Sequence, residues 1–138
     1  MAAPEVIDAY LGSVPGLGVR RLAHGEWGLT IPAESAGGEA LDVGLRLADG
    51  LLRVQAVVLR GDHGVDPWML LWWNRQTRLV RFGCTRSRDV WVHADVAAPG
   101  LAERDVDRLL GLVAEAALAV RSHAWSAAPA AGGDPQAA

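Results

Sequence analysis

The stretch LDVGLRLADGLLRVQAVVL, residues 41–59, predicts a β-hairpin around which the rest of the fold can be assembled. In Leu41–Leu47, apolar residues alternate with polar or small ones, and this period of two is expected of a half-buried strand. Asp49-Gly50 is a strong signal for a two-residue turn. Leu51–Leu59 is rich in β-branched and other apolar residues, so it predicts the returning strand of an antiparallel pair.

The hairpin pattern is repeated towards the N-terminus. Two short runs, Val19–Ala23 and Trp27–Ile31, flank the turn His24-Gly25-Glu26, so a meander of four antiparallel strands is expected. Ahead of these strands, Pro4 stands at a first-turn position and apolar residues follow at helical spacing. This combination predicts a short N-terminal helix.

The second half of the chain predicts two more helices and two more strands. Asp66 followed by Pro67 is typical of a helix N-terminus, where aspartate caps the helix and proline fits the first turn. Strands are predicted at Leu79–Cys84 and Arg88–Ala94, and a 3.6-residue period over Glu103–Ala124 predicts a long C-terminal helix. The predicted fold class is α+β, with an antiparallel sheet of about six strands in the order α-ββββ-α-ββ-α.

The length of 138 residues and the hydrophobic content of 51% suit one domain with a buried core. We predict that residues 1–125 form this domain. Residues 126–138 contain only Ala, Gly, Pro, Ser, Asp and Gln. Such a composition buries too little apolar surface to offset the entropy of ordering, so a disordered tail is expected.

The charged residues and the single cysteine exclude several chemistries. All 13 basic residues are arginine, against 16 carboxylates, so the net charge is −3. Without lysine there is no Schiff base, no Walker-type phosphate lysine and no lysine general base. Cys84 has no partner for an internal disulfide, which favours a reducing compartment. No signal peptide or membrane-spanning stretch is recognisable, so we expect a cytoplasmic protein that does not bind membranes.

No catalytic or metal-binding constellation is recognisable. The histidines share no i, i+4 or His-x-His spacing; they are His24, His63, His93 and His123. Asp62, His63 and Asp66 resemble a ligand cluster, but they lie in a glycine-flanked loop in which Asp66 is expected to cap a helix. Cys84 is interpreted as a small buried residue. We therefore predict a protein that is not an enzyme and has no cofactor.

Tryptophan is concentrated in the predicted central helix. The chain has six tryptophans, and three of them lie within residues 68–73. Large apolar side chains on all sides of one helix cannot all face the same sheet. Because tryptophan is enriched in binding hot spots, we predict that this helix contributes to a dimer or partner interface. The predicted interface residues are Trp68, Leu71, Trp72 and Trp73.

Arginine is concentrated just after that helix. Five of the 13 arginines occur within residues 75–88, a stretch without a single acid and with aromatic residues nearby. One interpretation is a partner-binding surface that meets client carboxylates, formed by Arg81, Arg86, Arg88, Trp91 and His93. A second is single-stranded nucleic-acid binding by Arg75–Arg88. A third is that these arginines pair with the chain's own carboxylates, such as Asp89, Asp95 and Glu103.

The second half of the chain also carries a family resemblance. The segments that carry it are Leu70-Leu71-Trp72-Trp73-Asn74-Arg75, Leu79-Val80-Arg81-Phe82, Asp89-Val90-Trp91-Val92-His93-Ala94-Asp95 and Pro99-Gly100-Leu101, followed by the amphipathic last helix. In this order they resemble the YbjN-like family, whose fold is that of the type III secretion chaperones. Ala102 stands where family members often have Ser or Thr as the cap of that helix.

The resemblance implies a small bacterial homodimer that binds another protein and is not an enzyme. Type III secretion chaperones hold an extended stretch of client across hydrophobic patches and free sheet edges. The surplus of apolar residues in the central helix of this chain suits the same kind of binding. The resemblance does not imply a secretion apparatus, and it names neither the client nor the geometry of the dimer.

Overall fold

The computed structural model describes residues 1–127. Within them, three helices and six strands follow one another in the predicted order, with one 3₁₀ turn at Ala33–Ser35. The helices are α1 (Ala3–Ser13), α2 (Pro67–Asn74) and α3 (Glu103–Ala127), and the strands are β1 (Arg20–Ala23), β2 (Glu26–Ile31), β3 (Leu41–Ala48), β4 (Leu51–Leu59), β5 (Val80–Cys84) and β6 (Val90–Ala97). The predicted α+β fold is confirmed.

The six strands form one antiparallel sheet in the order β1-β2-β3-β4-β6-β5. The first four strands make the predicted meander. β6 lies between β4 and β5, so that Trp91 on β6 is opposite Val57 on one side and Gly83 on the other. This order leaves β1 and β5 as the two edges of the sheet.

Apolar and polar side chains alternate along the strands, so the apolar ones lie on one face of the sheet and form the core. Leu45, Val54 and Val92, from three neighbouring strands, are at most 1% exposed. Val106 and Val113 of α3 are completely buried over this face. The alternate side chains point to the opposite face, which we call the open face, and there they are polar, small or half-exposed. One buried and one solvated face is the usual arrangement of an antiparallel sheet.

Local sequence signals place the hairpin turn and the start of α2. Asp49 and Gly50 have φ angles of 54° and 75°, the left-handed pair that a two-residue hairpin turn requires. The Asp66 carboxylate accepts a hydrogen bond from the Trp68 N–H at 3.0 Å. The predicted cap of α2 is therefore confirmed.

α3 begins at Glu103, as predicted, and continues to Ala127. The Ala102 N–H donates to the Asp105 carboxylate at 2.8 Å, so one half of a capping box is present although Ala102 itself has no capping side chain. α3 includes the first two residues of the predicted tail, and residues 128–138 lie outside the described residues. Within residues 1–127 no helix combines the length and the apolarity needed to cross a bilayer.

Several local predictions are wrong. β5 begins at Val80 rather than at Leu79, because Leu79 has a φ of 66°. β6 begins at Val90 rather than at Arg88, because Arg88 has a φ of 67° and belongs to the turn that joins β5 to β6. Cys84, expected to be buried, is exposed. It is the last residue of β5, an edge strand with a neighbouring strand on only one side.

Arg121 is a charged residue on the buried side of α3, where it is 3% exposed. Its guanidinium donates to the carbonyl oxygens of Ala36 at 2.8 Å, Glu39 at 2.6 Å and Val58 at 3.1 Å. Burial lowers the pKa of this group because the charged form loses its hydration. Arg121 therefore fastens the loop before β3 to β4 and to α3.

Candidate partner-binding site on α2 and the β5 edge

α2 leaves three large apolar side chains in water. Trp68, Leu71 and Trp72 are 77%, 56% and 59% exposed. Their i, i+3, i+4 spacing puts them on one side of the helix, and we call them the tryptophan stripe. Apolar side chains exposed together in this way mark interaction sites, since removing them from water gains about 25 cal/mol per Å².

Trp73 points to the other side of α2. Its ring centroid lies 6.0 Å from that of Phe82 and 5.6 Å from that of His123, the latter in an edge-to-face arrangement. Trp73 is partly buried and packs against the core. Of the four interface residues predicted on this helix, the structure brings the three of the tryptophan stripe together and places Trp73 apart from them.

The last residue of α2 and the residues after it bond the outer edge of β5. Phe82 donates its N–H to Asn74 Oδ1 at 2.8 Å, and its carbonyl accepts from Asn74 Nδ2 at 3.1 Å. The Val80 carbonyl accepts from the Thr77 hydroxyl at 2.6 Å and from the Arg81 guanidinium at 2.8 Å. Alternate residues of an edge strand direct their N–H and C=O groups away from the sheet. At Val80 and Phe82 these groups are already bonded within the chain.

Asn74 and Thr77 are residues of the candidate site that the sequence interpretation missed. In the sequence they mark only the end of a helix. An amide and a hydroxyl placed a few residues before an edge strand are a usable signal, because such side chains can bond the outward-facing backbone groups of that strand. The signal can be used only when the strand is known to lie at an edge of the sheet. The sequence does not show this, because the order of the strands depends on contacts between distant segments.

The arginines after α2 have no carboxylate partner within residues 1–127. None of the following lies within ion-pair distance of an acid there: Arg75, Arg78, Arg81, Arg86 and Arg88. Two of the acids considered as their partners are engaged elsewhere. Asp95 binds Arg53 at 2.8 and 2.9 Å, and Asp89 accepts from the Gly61 N–H at 3.0 Å. For the described residues, the interpretation that these arginines pair with the chain's own acids is wrong.

The same five arginines follow β5 from end to end, and we call them the arginine row. Arg75 and Arg78 precede the strand, Arg81 lies within it, and Arg86 and Arg88 lie in the turn after it. All five are exposed. A five-residue strand is about 17 Å long, so the row places five positive charges along one edge of the molecule.

The open face brings the other predicted partner-binding residues next to the arginine row. His93 on β6 lies directly opposite Arg81 on β5, so the two side chains share this face. Trp91, two residues earlier on the same face, lines a shallow groove of about 650 Å³. Arg81, Trp91 and His93 are thus neighbours on the open face, while Arg86 and Arg88 lie beyond it in the turn.

The charges on the neighbouring part of the open face are already paired. The bidentate hydrogen bonds with Arg53 lower the pKa of Asp95 below its usual range, and those with Asp95 raise the pKa of Arg53. Arg46 Nε lies 3.6 Å from a carboxylate oxygen of Glu26, which makes a second ion pair. Arg53 and Arg46 are thus paired with acids on this face, whereas the arginine row has no acid within ion-pair distance among residues 1–127.

His63 is bonded to the backbone through both ring nitrogens. Nδ1 accepts from the Val65 N–H at 2.9 Å, so Nε2 carries the proton and donates to the Arg88 carbonyl at 2.6 Å. His63 and the capping residue Asp66 therefore hold the loop before α2 in place. Within residues 1–127, no three His, Cys, Asp or Glu side chains are placed to bind a metal ion together.

Comparison with known proteins places these elements in a family context. A family model named YbjN, described as "Putative bacterial sensory transduction regulator", matches residues 48–124. The match covers more than half of the chain and contains α2, β5, β6 and most of α3. No curated protein sequence matches the chain.

Several solved structures share the fold. The Yersinia pestis type III secretion chaperone SycH, solved with a fragment of YscM2, aligns with a TM-score of 0.65 and 10% identity over 86% of this chain and 98% of the matched chain. A chain of the HopA1–SchA chaperone–effector complex aligns with a TM-score of 0.64 and 12% identity over 83% and 88%. YbjN of E. coli aligns with a TM-score of 0.61 and 14% identity over 87% and 92%. At these identities the likeness shows the fold alone.

Proposed function

This chain belongs to the YbjN family, and from that membership and the geometry above we propose that it is a non-catalytic, chaperone-like protein that binds a client protein. The observation that carries the proposal is the tryptophan stripe, three large exposed apolar side chains on one side of an eight-residue helix. The structures that share its fold include a chaperone–effector complex and a secretion chaperone bound to a protein fragment, which supports a binding role.

The second part of the proposal is that the tryptophan stripe packs against a second copy of the chain. In an antiparallel pair of α2 helices related by a two-fold axis, Leu71 would meet Trp72 of the second copy, and the two Trp68 side chains would lie at the two ends of the contact. The three side chains expose about 400 Å² per copy, half of a standard interface of about 800 Å² per partner, so the exposed start of α2 and the loop before it would supply the rest.

The client would meet the arginine row and the neighbouring open face. The residues proposed for this surface are Arg81, Arg86, Arg88, Trp91 and His93. Trp91 would bury an apolar side chain of the client, and the arginines would align with client carboxylates. No cofactor enters this mechanism. A reducing cytoplasm is the proposed compartment, because Cys84 is a free and exposed thiol.

Light scattering coupled to size exclusion tests the dimer. At micromolar concentration the protein should have twice the chain mass of 14.6 kDa. Trp72→Glu should give a monomer, because it places a charge in the centre of the proposed interface. Leu22→Glu is the matched control: Leu22 is also 59% exposed but lies on β1, and this variant should remain dimeric. A monomeric unsubstituted protein would contradict the dimer.

Capture from the lysate of the source cells, followed by reconstitution, tests client binding. The captured protein is identified, purified and titrated against the unsubstituted chain and two variants. Trp91→Ala should weaken binding about tenfold or more, as expected of a hot-spot residue. His24→Ala, in the exposed turn between β1 and β2, should bind like the unsubstituted chain. A failure to recover any protein, or equal binding by all three, would contradict the proposal.

A second candidate function is single-stranded nucleic-acid binding by Arg75–Arg88. The absence of carboxylate partners for the arginine row within residues 1–127 favours it. Titration with a thymidine oligonucleotide at about 50 and 200 mM salt tests it, since phosphate contacts should quench tryptophan fluorescence far more strongly at the lower salt. A flat titration at both concentrations rejects this function.

A further inference from the structure

We propose that the arginine row binds an acidic segment of a protein through side-chain contacts alone, without the addition of a strand to the sheet. This inference rests on the proposed function and deepens it, because it names the chemistry of the client at one part of the client surface. Four features of the β5 edge carry it: its charge, the fixed geometry of its ends, its occupied backbone groups and the charge of the surrounding molecule.

The first feature is uncompensated charge. Residues 75–88 carry five arginines and no acid. All five side chains are exposed, and within residues 1–127 none has a carboxylate partner. Arginine and carboxylate form bidentate, charge-assisted hydrogen bonds, so an acidic segment satisfies donors that the chain itself leaves to water.

The second feature is that the Arg81 side chain and the backbone of the turn that carries Arg86 and Arg88 are held in place before a partner arrives. The Arg81 guanidinium donates to the Thr77 carbonyl at 3.2 Å and to the Val80 carbonyl at 2.8 Å, which fixes it against the strand. At the other end, the Arg88 carbonyl accepts from His63, and the Thr85 N–H donates to the Asp89 carbonyl at 3.0 Å. A preformed surface loses less conformational entropy on binding than a mobile one.

The third feature is the occupied edge of β5. A partner that adds a strand needs outward-facing N–H and C=O groups in a row. Those of Phe82 are bonded to Asn74, and the Val80 carbonyl is bonded to Thr77 and Arg81. The Val80 N–H donates to the Arg78 carbonyl at 2.7 Å. The partner at this edge therefore meets side chains rather than a free backbone.

The fourth feature is the charge outside the row, which favours a short acidic segment over a nucleic acid. The chain has a net charge of −3 and the row contributes +5, so the remaining residues carry −8. A nucleic-acid strand carries a phosphate at every nucleotide, and the phosphates beyond the row would meet a chain whose remaining net charge is negative. A short acidic segment can end where the row ends. Leu79, 42% exposed between Arg78 and Val80, adds an apolar contact that a phosphate backbone does not use.

Fluorescence anisotropy with a labelled 12-residue poly-glutamate peptide tests the proposal. The unsubstituted chain should bind the peptide, and binding should weaken as salt is raised, because the contacts are charged and exposed. Removing two charges of the row with Arg78→Gln and Arg86→Gln together should weaken binding at least fivefold. The matched control is Arg104→Gln with Arg108→Gln, two exposed arginines of α3, which should bind the peptide as before.

Three outcomes would overturn the proposal. They are no binding of the peptide by the unsubstituted chain, an equal loss in the α3 control, and tighter binding of a 12-nucleotide thymidine oligonucleotide that the peptide fails to displace. Asn74→Ala distinguishes binding by side-chain contacts from binding by addition of a strand, because it frees the N–H and C=O groups of Phe82. Unchanged or weaker peptide binding supports side-chain contact, whereas stronger binding shows strand addition and overturns the proposal.

The failure of this inference can be told apart from the failure of the proposed function. The dimer is tested at Trp72 and client binding at Trp91, and neither residue belongs to the arginine row. If the reconstituted client binds in a Trp91-dependent way but the peptide does not bind, the client-binding function stands and the acidic chemistry of the client is rejected. The arginine variants change exposed side chains only, so they should unfold in urea like the unsubstituted chain.

Discussion

α2 and α3 are both rich in apolar residues, but only α3 buries them within its own chain. Val106, Leu109 and Val113 recur at helical spacing in α3 and are at most 1% exposed. The tryptophan stripe of α2 is more than half exposed, because a helix that is apolar on all sides turns only one side to its core. The apolar side chains of α3 therefore stabilise the monomer, whereas those of the tryptophan stripe remain exposed and available to a second molecule.

The largest expected effect is a difference in the free energy of unfolding between a substitution in α3 and one in α2. Leu109→Ala in α3 removes a side chain that is 1% exposed and should lower the free energy of unfolding by about 2–5 kcal/mol. Leu71→Ala in α2, where the side chain is 56% exposed, should change it by less than about 0.5 kcal/mol and should weaken self-association instead. Urea unfolding at low protein concentration measures both. Equal losses of stability would remove the distinction between the helices.

An intermediate effect is expected at the polar residue that α3 buries. Arg121→Met leaves the carbonyls of Ala36, Glu39 and Val58 without their donor and should cost about 2 kcal/mol. Limited proteolysis should also become faster in the loop before β3, which the guanidinium fastens. Arg104→Met, on the exposed side of the same helix, is the control and should leave both measurements unchanged. Identical behaviour of the two variants would show that Arg121 does not hold the loop.

The smallest effect concerns the contact between α1 and α3. The Tyr10 hydroxyl donates to the Asp107 carboxylate, and burial together with this hydrogen bond raises the pKa of Tyr10 to about 12. Because the folded pKa lies above the ordinary value of 10.0, the stabilisation is fully present below pH 10.0 and is lost as the pH rises through about 12.

The tyrosinate absorbance measures this titration without interference, because Tyr10 is the only tyrosine. Its midpoint should lie near 12 in the unsubstituted chain, and Asp107→Asn should move it towards 10.0 by removing the negative charge. A midpoint that Asp107→Asn leaves in place would show that the carboxylate does not set the pKa of Tyr10.

Most elements of the fold could be predicted from local patterns, but their order in the sheet could not. The alternation in residues 41–59, the turn at Asp49-Gly50 and the cap at Asp66 each involve neighbours in the chain, and the structure has all three. The position of β6 between β4 and β5 depends on contacts between distant segments. No local pattern states which strands become edges.

The candidate site could be predicted in composition but not in arrangement. The excess of tryptophan on α2 and of arginine after it is visible in the sequence. Whether a given tryptophan faces the core depends on what covers the helix, and this separates Trp73 from the stripe. Whether an arginine has a carboxylate partner depends on which side chains lie opposite each other in the sheet. Asp95 on β6 lies opposite Arg53 on β4 and bonds to it, so Asp95 does not pair with the arginine row.

The sequence alone establishes the α+β fold class, the absence of lysine chemistry and the concentration of arginine and tryptophan in residues 68–88. It can do so because periodicity and capping involve residues that are close together in the chain, and composition needs no structure. Folding settled the exposure of the tryptophan stripe, the occupied edge at Phe82 and the absence of carboxylate partners for the arginine row within residues 1–127. Burial and hydrogen bonding depend on contacts between segments that are far apart in the chain. These contacts form only when the sheet has formed.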